Sequence, residues 1–85
     1  MKVNGKSIIV TGAGSGMGRE LTIELLRRGA RVAAVDINES ALAQLTARAN
    51  PALATFKCNI ADRAAVQALA EAVEQRFSAL DGLIN

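Results

Sequence analysis

Eight consecutive residues carry the clearest chemistry in this sequence: Thr11-Gly12-Ala13-Gly14-Ser15-Gly16-Met17-Gly18. Glycines at alternate positions leave backbone N–H groups uncovered by side chains. Such groups hold an anion best where the loop opens a helix, because the first-turn N–H groups lack intrahelical acceptors and lie at the positive end of the dipole. Three of the glycines then have separate tasks. Gly12 permits a tight turn out of a strand, Gly16 lets the backbone approach a pyrophosphate, and Gly18 allows close packing of a helix on a sheet. The spacing is not G-x-G-x-x-G, because Met17 and Arg19 fall where its last glycine would stand, counted from Gly12 and Gly14. Nor is it the phosphate loop that ends in Lys-Ser or Lys-Thr. The plain alternative is a flexible turn that happens to be rich in glycine, and the flanking elements argue against it.

A second group suited to a nucleotide is Asp36. It lies about 20 residues beyond the glycine loop, where a carboxylate can accept hydrogen bonds from ribose hydroxyls. A third polar segment is Asn59-Ile60-Ala61-Asp62, in which Asp62 reads as a helix cap.

The elements that must position these groups alternate regularly. Ser7 to Val10 is a short β-branched run, read as a buried strand. After the glycine turn, Met17, Leu21, Leu25 and Leu26 recur at helical spacing up to Gly29, a residue suited to end a helix. Glu24 and Arg28 form an i,i+4 pair on its outer face. Arg31 to Val35 is a second strand. Asn38 can cap a helix carrying Leu42, Leu45 and Ala49, which ends at Asn50 before Pro51. Leu53 to Cys58 is a third strand. The helix after Asp62 shows a stripe of Val66, Leu69, Val73 and Phe77. Asp81-Gly82 is a turn signal, and Leu83-Ile84 begins a fourth strand. The order βαβαβαβ with short links implies an α/β fold, a doubly wound parallel sheet of Rossmann type with strand order 3-2-1-4. A ligand then sits beyond the C-terminal ends of the strands, where the winding reverses.

Composition narrows the function. With 85 residues the chain holds one compact unit, and its net charge is only +2. The basic residues are scattered, whereas nucleic-acid binding needs a clustered patch. Cys58 is the only cysteine and there is no histidine, so neither an internal disulfide nor a zinc site is expected. Cys58 stands in an apolar run and reads as a buried, inert thiol. No apolar run is long enough to cross a membrane or to serve as a secretory leader, which points to a cytoplasmic protein.

The spacing of Thr11, Gly12, Gly16 and Gly18 fits T-G-x-x-x-G-x-G, and on that motif the chain resembles the short-chain dehydrogenase/reductase family. The resemblance extends to Asp36, to Asn59-Ile60-Ala61-Asp62, which is similar to the family's D-V-x-D segment, and to Leu80-Asp81-Gly82-Leu83-Ile84-Asn85, which resembles the lead-in to its N-N-A-G stretch. It implies an oxidoreductase that moves hydride between NAD and a hydroxyl or carbonyl substrate. It also implies cofactor contacts at Gly12, Ser15, Gly16, Met17, Gly18, Asp36, Ile37, Asn59 and Ile60. Asn59, in place of the commoner Asp, and the N–H of Ile60 would hold the adenine. Met17, at the family's usual Ile position, would touch the ligand and pack the core.

Residues 1–85 would then be the N-terminal part of a dinucleotide-binding domain, without the catalytic half. The family's catalytic Asn, Ser, Tyr and Lys have no counterpart here, so this chain alone is expected to be inactive. The small-molecule substrate would be bound only by a longer protein. NAD is expected over NADP, because Asp36 would repel a 2′-phosphate and neither Ser15 nor Ile37 is basic. Arg19 reads as a solvated helix-face residue rather than a phosphate ligand. Leu83 and Ile84, at an unfinished edge, point to association of identical chains. Two other functions share these features. One is a non-catalytic NAD-binding sensor that reuses the fold. The other is a methyltransferase-like nucleotide binder, although that class lacks the Asn59 and Asp81-Gly82 segments.

Overall fold

Strand and helix alternate along the whole of the computed structural model, which describes residues 2–47 and 50–84. The elements are β1 (Ser7–Thr11), α1 (Gly16–Arg27), β2 (Arg31–Asp36), α2 (Glu39–Thr46), β3 (Leu53–Lys57), α3 (Arg63–Phe77) and β4 (Gly82–Ile84). The strands pair in parallel in the order β3-β2-β1-β4, as the sequence implied. Ser7 to Thr11 of β1 register with Arg31 to Val35 of β2, and Ile8 to Val10 register with Gly82 to Ile84 of β4.

Side chains alternate across each strand, so the sheet has two apolar faces. Ile8 and Val10 of β1, with Val32 and Ala34 of β2, pack against Leu25 of α1 and Leu42 and Leu45 of α2. On the other face Ile9, Ala33 and Val35 pack against Leu69, Val73 and Phe77 of α3. Leu45 and Val73 have no solvent exposure. Burial of side chains of this size stabilises by about 1.5–3 kcal/mol each. Ala33 and Ala34, also fully buried, keep the centre of the sheet low enough for the helices to seat. The change of covering face between α2 and α3 accompanies the reversal of strand order, and it opens a crevice at the C-terminal ends of the strands.

The caps explain the helix limits. Asn38 accepts from the Ala41 N–H at 3.1 Å and Asp62 from the Ala65 N–H at 3.2 Å, as expected of N-caps. At the end of α1 the Gly29 N–H bonds the Leu26 carbonyl and the Ala30 N–H bonds the Leu25 carbonyl. This Schellman closure is permitted by φ +89° at Gly29.

Several expectations are corrected. Met17 does not pack the core: it is 89% exposed, because the first turn of α1 projects past the end of the sheet. The residues of α1 nearest the sheet include Thr22, whose hydroxyl bonds the Gly18 carbonyl at 2.8 Å and so can be buried. Val66 stands on the exposed flank of α3, and Ala65, four residues before Leu69, takes its place against the core. Strand β3 ends at Lys57, which leaves Cys58 just beyond it, and α2 ends at Thr46. Ala49 and Asn85 lie outside the described residues. Cys58 is buried, as its apolar surroundings suggested. No described helix is long and apolar enough to cross a membrane.

Candidate functional site

The glycine turn leaves β1 through Gly12, at φ +65°, a conformation that a residue with a Cβ adopts only with strain. The Ala13 N–H then bonds the Val35 carbonyl at 3.0 Å, which ties the turn to β2. Ser15 is the N-cap of α1 in extended conformation, and its hydroxyl makes no capping bond. The first i→i−4 bond of the helix runs from the Arg19 N–H to the Ser15 carbonyl. The N–H groups of Gly16, Met17 and Gly18 precede it and have no intrahelical acceptor. No acidic residue stands in that turn to neutralise the positive end of the dipole. Gly18 packs on the turn itself: a Cβ there would overlap the Gly12 carbonyl oxygen and lie 3.2 Å from the Ala13 Cα.

Asp36 ends β2 with both carboxylate oxygens engaged. Oδ2 accepts from the Gly14 N–H and Oδ1 from the Asn38 N–H, each at 2.9 Å. Beside it is a cleft of about 210 Å³ lined by Gly12, Val35, Asp36, Ile37, Cys58, Asn59 and Ile60. Val35 and Cys58 are buried and form its floor, whereas Ile37 and Ile60 are 61% and 55% exposed on its rim. Asn59 supports the turn into α3, since its Oδ1 accepts from the Ala61 N–H at 3.0 Å. An amide oxygen has a second lone pair, so this bond leaves Asn59 able to accept another.

The structure therefore brings Gly12, Asp36, Ile37, Asn59 and Ile60 to one cleft. Gly16 and Met17 border a separate, open depression at the start of α1, together with Arg19. Arg19 reaches across to α2 and donates to the Gln44 side chain at 3.2 Å, on an exposed surface. Sequence reasoning gave Gly14 no role, although its N–H anchors Asp36. The signal was present as the middle glycine of an alternating series. Cys58 and Val35 were read only as core, because strand periodicity does not show which buried residues also border a crevice.

A crossover crevice, a glycine turn feeding a helix N-terminus, and an acid at the end of β2 together define a Rossmann-type α/β unit. Within that class the chain belongs to the short chain dehydrogenase family, whose pattern it matches over residues 6–85. It is 40% identical to D-threitol dehydrogenase of Mycolicibacterium smegmatis, over 99% of this chain and 34% of that protein. It also superposes on 3-ketoacyl-(acyl-carrier-protein) reductase of Brucella melitensis complexed with NADH, with a TM-score of 0.90 and 30% identity. That match covers 95% of this chain and 34% of the other. A short chain dehydrogenase/reductase of Burkholderia phymatum in complex with NAD gives the same score and identity, over 98% of this chain and 31% of its own. The chain thus spans about a third of the length of the relatives that it matches.

Proposed function

We propose that this chain forms the dinucleotide-holding part of an NAD-dependent oxidoreductase that acts on a hydroxyl or carbonyl substrate. The observation that carries the reading is the Asp36 carboxylate, fixed by two backbone N–H groups at the rim of the cleft. Each carboxylate oxygen keeps a lone pair after those bonds, so Asp36 can accept from both hydroxyls of a ribose. A 2′-phosphate in the same place would set two anions side by side, with no basic side chain among the described residues that line the cleft.

The other groups fit the same ligand. Exposed Ile37 and Ile60 offer apolar flanks to a planar base, and binding would remove them from water. Asn59 and the Ile60 N–H supply polar contacts for the adenine edge. Ser15 and the free N–H groups of Gly16, Met17 and Gly18 suit a pyrophosphate. Gly12 and Gly18 keep that loop low against the sheet. NAD would supply the hydride chemistry, and these residues would bind and orient its adenosine half.

The proposal places residues 1–85 in the cofactor-binding half of a longer enzyme, with the substrate groups in the part of its relatives that this chain does not span. Calorimetry on the folded chain tests the reading. NAD and AMP should bind, and NADP should bind more weakly than NAD. A chain that is folded by circular dichroism yet gives no heat with either NAD or AMP would overturn it.

A further inference from the structure

The proposed ribose contact depends on where the Asp36 carboxylate points, and that direction is set from behind by Gly14. Resting on the reading of the cleft given above, we infer that Gly14 is a specificity-determining positioning residue, whose N–H and bare Cα together hold Asp36 in place for a ribose diol.

Two observations carry this. The first is the bond from the Gly14 N–H to Asp36 Oδ2, at 2.9 Å. The second is the space around Gly14, which is itself buried. A Cβ at this position would lie 2.6 Å from the Ala41 Cβ, 2.9 Å from Asp36 Oδ2 and 3.2 Å from Asp36 Cγ. Gly14 is not among the residues with positive φ, unlike Gly12 and Gly16. The requirement for glycine is therefore spatial, and Asp36 and α2 impose it. A methyl group here must displace the carboxylate, the first turn of α2, or both. Asn38 couples them, because its N–H holds Asp36 Oδ1 while its side chain caps α2.

The test uses NAD, NADP and the analogue of NAD that lacks the adenosine 2′-hydroxyl, titrated into the chain by calorimetry, with thermal melting on the same samples. The wild-type chain should bind NAD about tenfold more tightly than the 2′-deoxy analogue, the order expected for one hydrogen bond to a charged group. Gly14→Ala should bring that ratio close to unity and narrow the preference over NADP. Ala41→Gly alone should keep the wild-type ratio. The double variant Gly14→Ala with Ala41→Gly relieves the contact with α2 but not the contact with the carboxylate. It should regain melting temperature and still lack discrimination, and it decides the matter if Gly14→Ala does not fold. A wild-type ratio retained in Gly14→Ala, or restored in the double variant, would overturn the inference while leaving the cleft assignment intact. Failure of the wild-type chain to bind NAD would instead remove the proposed function, and this inference with it.

Discussion

The Asp36 carboxylate accepts a hydrogen bond from the Gly14 amide at 2.9 Å, across 22 residues of chain. Beside the bond from the Ala13 N–H to the Val35 carbonyl, it joins the turn after β1 to the end of β2 and makes the glycine loop and the acid a single unit. The orientation of the carboxylate is therefore set before any ligand arrives, so little ordering remains to oppose binding.

Asp36→Arg should shift cofactor preference toward NADP. It removes the anion that would face a 2′-phosphate and supplies a cation able to pair with it. It also leaves the part-buried N–H of Gly14 without its acceptor, so the folded state should weaken by about 1–3 kcal/mol. Calorimetric affinities for the two dinucleotides and urea denaturation read the two effects separately. An unchanged affinity ratio would take Asp36 out of the site.

Gly18→Ala should destabilise the fold more than Gly12→Ala. At Gly12 a Cβ meets nothing within 4 Å, so the cost is that of φ +65° alone, about 1–2 kcal/mol. At Gly18 the new methyl would overlap the Gly12 carbonyl, which is backbone and cannot swing aside. Overpacking typically costs about 1–3 kcal/mol, and a contact with rigid backbone belongs at the upper end or beyond. Denaturation midpoints of the two variants decide the order, and the reverse ranking would contradict this account of the loop.

Much of this architecture was legible because it depends on pattern. The runs Ser7 to Val10 and Arg31 to Val35, the caps Asn38 and Asp62, and Gly29 are local signals, and each marks the element it implied. What escaped was three-dimensional. Met17 continues the spacing of Leu21 and Leu25, yet helical periodicity does not say where the sheet beneath it ends. Thr22 is buried because its hydroxyl turns back on the Gly18 carbonyl, which a polar residue type conceals. Asp81 looked like a turn residue, but its side chain also accepts from the Ser7 N–H at 2.8 Å and pins the start of β4 to β1. Gly14 has the same character, since its importance comes from Ala41 and Asp36, both distant in sequence.

The acid end of the stability profile should carry the signature of Glu24. Its carboxylate accepts from Arg27 Nη2 and Arg28 Nε, each at 2.6 Å. Hydrogen bonding to Arg27, then to Arg28, lowers its pKa from the ordinary 4.5 to about 2. In the unfolded chain Glu24 titrates near the ordinary value. The stabilisation from this cluster is thus fully present above pH 4.5 and is lost as pH falls toward about 2. The cluster is exposed, so its contribution is modest and weakens with salt. Glu24→Gln should flatten stability against pH within that window, by lowering stability slightly at neutral pH, where the cluster contributes in full, and leaving the acid end almost unchanged. A carboxyl carbon titration by NMR with a midpoint near 4.5 for Glu24 would contradict it.

The 85-residue chain should bind NAD without turning over a substrate. Carbonyl reduction needs a proton donor beside the developing alkoxide, and a positioned general acid contributes about 10²–10⁴-fold. In enzymes that this chain resembles, a Tyr aided by a Lys fills that place. This sequence contains no Tyr and no His. Its lysines are poorly placed to substitute. Lys2 and Lys6 border a depression with Asp81 and Gly82, near the N-terminal ends of β1 and β4 and opposite the cleft. Lys57 ends β3, and its Nζ lies 4.0 Å from Glu39. Cys58 is buried on the floor of the cleft and is not placed as a proton donor to a substrate. The groups that could hold adenosine and pyrophosphate are present, and none of the groups just named can protonate an alkoxide at the nicotinamide end. NADH absorbance followed with a panel of alcohols and ketones should stay flat in a sample whose NAD binding is measured in parallel. Steady turnover by the purified chain would show that a residue among these 85 does the work here assigned to the missing Tyr and Lys.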